Sequence, residues 1–206
     1  MSTAHGEQVR IIEEHVEVGR GINWWGMIFF ITSEALIFAN LIASYLYLEI
    51  RGGSWLLPSG EPLDWHYPLF NTFVLLGSSV PIRLLAGAGI AKGNKRNLVI
   101  GLGLTIFMGA FFLGGQIVEY ILLGGEGFSL QKGVFGSAFF TLTGFHGLHV
   151  TVGLIFLTIC FIRALRGDFT QKKHFAVEAG EMYWHFVDIA WIFVFSVVYL
   201  LPLLRG

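Results

Sequence analysis

Apolar runs alternate with short polar breaks along almost the whole chain. Crossing the hydrocarbon core of a bilayer takes about 20 apolar residues at about 1.5 Å each. Five stretches qualify, at residues 22–50, 69–91, 98–123, 133–162 and 178–204. No alternating strand pattern competes with them. A helix satisfies its own backbone groups in lipid, so each run is expected to form a transmembrane helix. The predicted fold is all-α, a polytopic membrane bundle of five transmembrane helices formed by residues 22–206. Residues 1–21 precede it as a polar tail that mixes charges (Glu7, Arg10, Glu13, Glu14, Glu17, Arg20). A secretory signal would instead pair a basic start with a short apolar core.

The breaks carry the expected chemistry. Residues 51–68 hold Gly52, Gly53, Pro58, Gly60, Pro62 and Pro68, and a later connection reads Gly124-Gly125-Glu126-Gly127, all residues that end helices and form turns. No repeat or low-complexity segment is visible, so one bundle is predicted. Basic residues set the orientation. Nine lie on the N-terminal side (Arg10, Arg20, Lys92, Lys95, Arg96, Arg163, Arg166, Lys172, Lys173) and three on the other (Arg51, Lys132, Arg205), with Arg83 inside the second run. That imbalance predicts a cytoplasmic N-terminus and an external C-terminus. Trp24, Trp25, Trp55, Trp65 and Trp184 fall near predicted helix ends and are expected to anchor at the interfaces.

Composition supports the membrane assignment. Of 206 residues, 54% are hydrophobic and 13% charged, with a mean hydropathy of +0.68. A soluble domain of this size needs more polar surface. The net charge of −1 offers no basic field for nucleic acid. The single cysteine, Cys160, lies in an apolar run and has no nucleophile-activating neighbour in sequence.

Polar groups within the apolar runs are the informative feature, since an unpaired ionisable group in mid-membrane costs several kcal/mol. In the fifth run Glu178, Glu181, His185 and Asp188 are spaced by three, four and three. At about 100° per residue they share one helix face, which His174 would join if the helix began that early. The fourth run offers His146 and His149, three residues apart and beside Thr143; the first offers Ser33 and Glu34; the third, Gln116 and Glu119. No basic residue lies within four positions of Glu34, so a proton or a group on another helix must neutralise it. Three readings stay open for this set. The groups could lock helices together by hydrogen bonds, relay protons, or hold a cofactor, with His149 and His185 on facing helices as haem ligands or histidines and carboxylates around zinc.

Other chemistry finds little support. There is no phosphate-binding loop. Ser78, Ser79 and Ser137 lack the context of an activated nucleophile and are read as small packing residues. The spacings Gly89-x-x-x-Gly93 and Gly101-x-x-x-Thr105-x-x-x-Gly109 suggest close helix approaches. Arg83 and Arg163 lie in the cytoplasmic halves of their runs. They either snorkel to the interface or hold lipid phosphates in a guanidinium fork.

Several strings together carry a family resemblance. They are Gly26-Met27-Ile28-Phe29-Phe30-Ile31-Thr32-Ser33-Glu34, Asn71-Thr72-Phe73-Val74-Leu75-Leu76, Gln116-Ile117-Val118-Glu119-Tyr120, Thr143-Gly144-Phe145-His146-Gly147-Leu148-His149-Val150 and Tyr183-Trp184-His185-Phe186-Val187-Asp188. From the first run to the last turn the chain resembles subunit III of the haem–copper terminal oxidases, the cytochrome c oxidase subunit III family, in its five-helix form. Longer members have seven helices, the first two forming one wall of a lipid-filled cleft. Quinol-oxidising relatives share the Gly-Leu-His and Trp-His-Phe strings, whereas Ser33-Glu34 and Gln116-x-x-Glu119-Tyr120 look closer to the cytochrome c type.

The resemblance implies a subunit with no haem, copper, metal site or catalytic residue of its own. It would sit against catalytic subunit I, with subunit II in the same complex, in an energy-transducing membrane of the bacterial plasma type. It would bind phospholipid, support proton uptake and protect the active site during turnover. Glu34 matches the family's membrane-buried glutamate and Arg163 the arginine that ends a lipid-facing helix, while a lipid role for Arg83 rests on position alone. The other readings are a quinol oxidase subunit III and an independent membrane haem protein or carrier. Reporter fusions at residues 94 and 128 are expected on opposite sides of the membrane; finding both on one side would overturn the helix count.

Overall fold

The computed structural model describes residues 21–52, 57, 63–131 and 133–205. The tail, apart from Gly21, and the Trp55 anchor lie outside these residues. Five helices are long and apolar enough to span a membrane: α1 (Ile22–Gly52), α2 (His66–Ala91), α3 (Lys95–Gly125), α4 (Gly133–Arg166) and α5 (Phe175–Leu203). No strand occurs among the described residues. Most of the helices outrun the apolar stretches, and side chains at the starts of α2 and α3 hold two of these extensions. Asn94 accepts from the backbone N–H groups of Arg96 and Asn97 at the start of α3, which satisfies two otherwise orphaned donors. Asp64 accepts from the His66 backbone N–H at 3.0 Å before α2, and that bond holds its carboxyl below the usual carboxylate range.

The helix ends meet as the short loops require. Gly93 (φ +65°) and Gly167 (φ +84°) end α2 and α4 in the left-handed region, where glycine avoids a Cβ clash. The Gln171 amide donates to the Ala91 carbonyl at 2.9 Å, tying the α4–α5 loop to the end of α2.

α3 packs between α2 and α4, and α5 is held by α4, α2 and α1. α5 is the best-buried span, at 50%, whereas only 6% of the α1 span is covered, by α4 and α5. The small-residue spacing on α3 marks the closest approaches. A Cβ on Gly101 would lie 2.5 Å from the Ala86 backbone nitrogen, and one on Gly109 would lie 2.6 Å from the Trp184 indole. Thr105, between them, donates to the Ser78 carbonyl at 3.0 Å. Gly89 likewise abuts the Leu98 backbone, where an added Cβ would lie 2.5 Å from the nitrogen.

Two spans contain a widened turn beside a proline. Pro81 is followed by a π-helical turn at Ile82–Gly87. A second π-helical turn, Ser196–Leu200, precedes Pro202. Proline removes one N–H and crowds the carbonyl four residues back; for Pro202 that carbonyl belongs to Val198, inside the wider turn that relieves both.

Trp184 corrects an expectation. It is fully buried rather than interfacial, seated against Gly109 and Gly153, with Nε1 donating to Ser78 Oγ at 2.8 Å. α5 begins at Phe175, so this indole lies more than two turns inside the helix. Trp25, by contrast, is exposed at the start of α1, as an anchor would be.

Gly109→Ala is expected to destabilise the bundle by about 1–3 kcal/mol through overpacking. A methyl group at Gly114 would meet nothing within 4 Å, so Gly114→Ala should be neutral or stabilising by up to about 1 kcal/mol. Titration with a denaturing detergent checks the ranking, and the reverse order would remove the α3–α5 close contact.

Candidate functional site

The structure sorts the polar groups into clusters between helices. On α1 and α4, Glu34 Oε2 meets His149 Nε2 at 3.0 Å. His149 Nδ1 lies 2.9 Å from the Phe145 carbonyl, which can only accept, so Nδ1 carries a hydrogen. One further proton therefore bridges Nε2 and Glu34, whichever of the two formally owns it. The partner Glu34 lacks on its own helix is thus supplied by α4. Phe38 and Phe145 close over the imidazole at centroid distances of 4.9 and 4.6 Å. Ser33 is not part of this pair; it donates to the Phe30 carbonyl on an exposed face.

The α5 stripe meets α2. Asp188 accepts from the Ser79 hydroxyl, and Ser79 Oγ lies 3.0 Å from His185 Nδ1. His185 Nε2 faces Glu181 Oε1 at 3.6 Å, and Arg83 donates to the same oxygen at 3.3 Å. Glu178 joins Glu181, His174 and Gln171 in lining a cavity of about 500 Å³ at this end. His174 is the residue before the first turn of α5 and makes no side-chain cap.

A third cluster joins α3 to α5 toward the other end. Glu119 accepts from Tyr199 at 2.7 Å and from Gln116 at 2.9 Å. Nearby, Tyr120 and Thr143 share a bond of 2.7 Å between α3 and α4.

His146 stands apart from these networks. It is fully buried, and neither ring nitrogen has a hydrogen-bond partner among the described residues. Its ring tilts onto Trp191 at 4.6 Å and meets the edge of Phe112 at 5.9 Å. Arg163, half exposed, reaches Asp168 at 3.4 Å and lies over the Phe169 ring at 5.0 Å, beside the α4–α5 loop.

These contacts bear on the cofactor reading. His149 is paired with Glu34 on α1 and His185 with Ser79 on α2. No group of three or more metal-ligating side chains converges among the described residues.

The profile of cytochrome c oxidase subunit III matches residues 7–202. The chain belongs to the cytochrome c oxidase subunit III family. Its relatives include the protein named cytochrome c oxidase subunit 3 from Equus caballus, 38% identical over 204 residues, covering 96% of this chain and 74% of the relative. The protein of that name from Homo sapiens is 41% identical over 188 residues, covering 88% of this chain and 70% of the relative.

Within this family member, sequence reasoning misjudged Ser78 and Ser79. They are hydrogen-bonding partners of Trp184, His185 and Asp188 rather than packing residues. Their nearness to Pro81 was the available signal, since hydroxyls often satisfy groups near a proline inside a spanning helix. Tyr199 and Thr72, which accepts from Trp191 Nε1 at 2.8 Å, were also missed, as was the burial of Glu49 near the end of α1.

A double-mutant cycle of Glu34→Ala and His149→Ala is expected to give a coupling of about 0.5–3 kcal/mol, with Glu34→Gln retaining part of it. Unfolding in micelles measures it, and additive single losses would mean the pair is not formed.

Proposed function

We propose that this chain is the non-redox subunit III of a proton-pumping haem–copper cytochrome c oxidase in aerobic respiration. Membership of the subunit III family across residues 7–202 carries the proposal. The relatives named above are cytochrome c oxidase subunits, which favours cytochrome c over quinol as the electron donor. On this reading haem and copper belong to the partner subunits, with subunit I, alongside subunit II, packed against this bundle. The positions of the basic loops support a cytoplasmic N-terminus and an external C-terminus in a bacterial plasma-type membrane.

The chain then has two tasks. One is lipid binding: the Arg163 and Arg83 side chains are 48% and 71% exposed, so a phospholipid phosphate can reach either guanidinium without breaking the bundle. The other is proton supply. The cavity lined by Glu178, Glu181 and His174 opens on the side from which protons are taken up. The neighbouring carboxylates and imidazole there can take up a proton and hand it on.

Glu178→Gln combined with Glu181→Gln is expected to leave an assembled oxidase whose turnover falls progressively as pH rises. Poor assembly with the parent's pH profile in the surviving complex would instead make the stripe interhelical glue. Removing the whole chain should leave an oxidase that starts active and loses activity during turnover. Co-purified peptides from mild detergent should include a haem-bearing partner, and haem bound stoichiometrically to the chain freed of partners would overturn the proposal.

A further inference from the structure

The α2–α5 cluster has two features that simple glue does not need. Asp188 is 5% exposed, yet its Oδ1 has no hydrogen-bond partner among the described residues. His185 Nε2 is buried and likewise without one. A cluster serving only to fix packing is best built with every buried polar atom satisfied. These two orphaned atoms instead bracket Ser79, which touches both side chains.

The atoms are ordered in depth. Glu181 lines the cavity of about 500 Å³ with Glu178 and His174. His185 lies one turn further along α5 and Asp188 nearly one turn beyond that. Arg83 holds Glu181 Oε1 from the α2 side at 3.3 Å. The 3.6 Å between Glu181 Oε1 and His185 Nε2 is the one link longer than a hydrogen bond, a gap that a side-chain rotation or a water closes. From His185 inward the path is direct, through Ser79 Oγ to Asp188.

We propose that Glu181, His185, Ser79 and Asp188 form a proton wire from the cavity into the bundle, ending in a reversible proton store at Asp188. Ser79 donates its hydroxyl hydrogen to the Asp188 carboxylate, so its oxygen accepts from His185 Nδ1–H and Nε2 is free to receive. In loading, the O–H bond of protonated Glu181 breaks and an Nε2–H bond forms. The Nδ1–H bond breaks as Ser79 Oγ takes that proton, and Ser79's own proton passes to Asp188 Oδ2. Three bonds to hydrogen break and three form, and one positive charge moves inward. His185 is left as the other tautomer, and unloading runs the same shifts backwards without turning the ring. Arg83, Glu178 and His174 are the other charged or titratable groups at the mouth, and they set the field the entering proton meets.

This wire rests on the oxidase reading only for the complex in which it is tested. The assembled complex is brought to acidic pH to load the store and transferred to D2O, and the carboxyl stretch that disappears in Asp188→Asn is followed by infrared spectroscopy. In Ser79→Ala the shift of that band is expected to slow by about tenfold or more, the scale of losing one hydrogen-bonded link, with Ser79→Thr restoring the parent rate. Ser196→Ala, which removes an exposed hydroxyl bonded only to its own helix, should leave the rate unchanged. If Ser79→Ala does not assemble, Glu181→Gln removes the entry point and should slow exchange in the same way. Parent-like exchange in whichever of these two variants assembles, or the lack of any Asp188-dependent band, overturns the proposal. Slowed exchange with an unaltered pH profile of turnover would keep the wire and remove only the proposed role in proton uptake.

Discussion

In hydrocarbon a polar side chain cannot fall back on water, so most of those on these helices are met by another helix or by their own backbone. α5 carries the heaviest load, with Glu178, Glu181, His185 and Asp188 on one face, and it is also the best-buried span. The two facts belong together. α2 brings Ser79 and Arg83 to that face, α3 brings Glu119 to Tyr199, and Thr72 receives the Trp191 indole. The order in which the helices surround α5 follows from where its polar atoms need partners, and the apolar side chains fill the space between.

Close approach makes those partnerships possible. Glycines at positions 101 and 109 let α3 lie against the α2 backbone and the Trp184 ring. Without that proximity Thr105 could not reach the Ser78 carbonyl. On the same stretch of α2, Ser79 and Arg83 are four residues apart, so they share a helix face and both meet α5. Close packing and polar pairing act together here, whereas in a soluble core apolar burial leads.

Much of this was legible in the chain. Five spans follow from run length, because hydrocarbon thickness imposes a ruler that tertiary context cannot override. The α5 stripe and the small residues of α3 were visible as spacings, since a helix converts spacing into direction. What spacing cannot supply is the partner. Glu34 offered no clue that His149 would meet it, and nothing near His146 said that it would sit among aromatic rings while His149, three residues on, is paired. Ser78 and Ser79 looked inert because a hydroxyl is informative only once its neighbour is known. Trp184 misled for a related reason: position along a run gives depth, whereas burial depends on which way the side chain faces.

The Glu34–His149 pair has a bearing on how the protein is made. The two residues are 115 positions apart, and the N-terminal helix leaves the ribosome first. At about 5–20 residues per second, α1 waits on the order of ten seconds before α4 has been synthesised. Throughout that interval Glu34 is in or near the membrane with its eventual partner not yet in existence. The nascent helix must linger at the insertion machinery, borrow a proton, or lean on a temporary neighbour. The span with the thinnest coat of protein in the finished bundle thus also waits long for its ionisable partner, and biogenesis is where a change at Glu34 or His149 would be felt first.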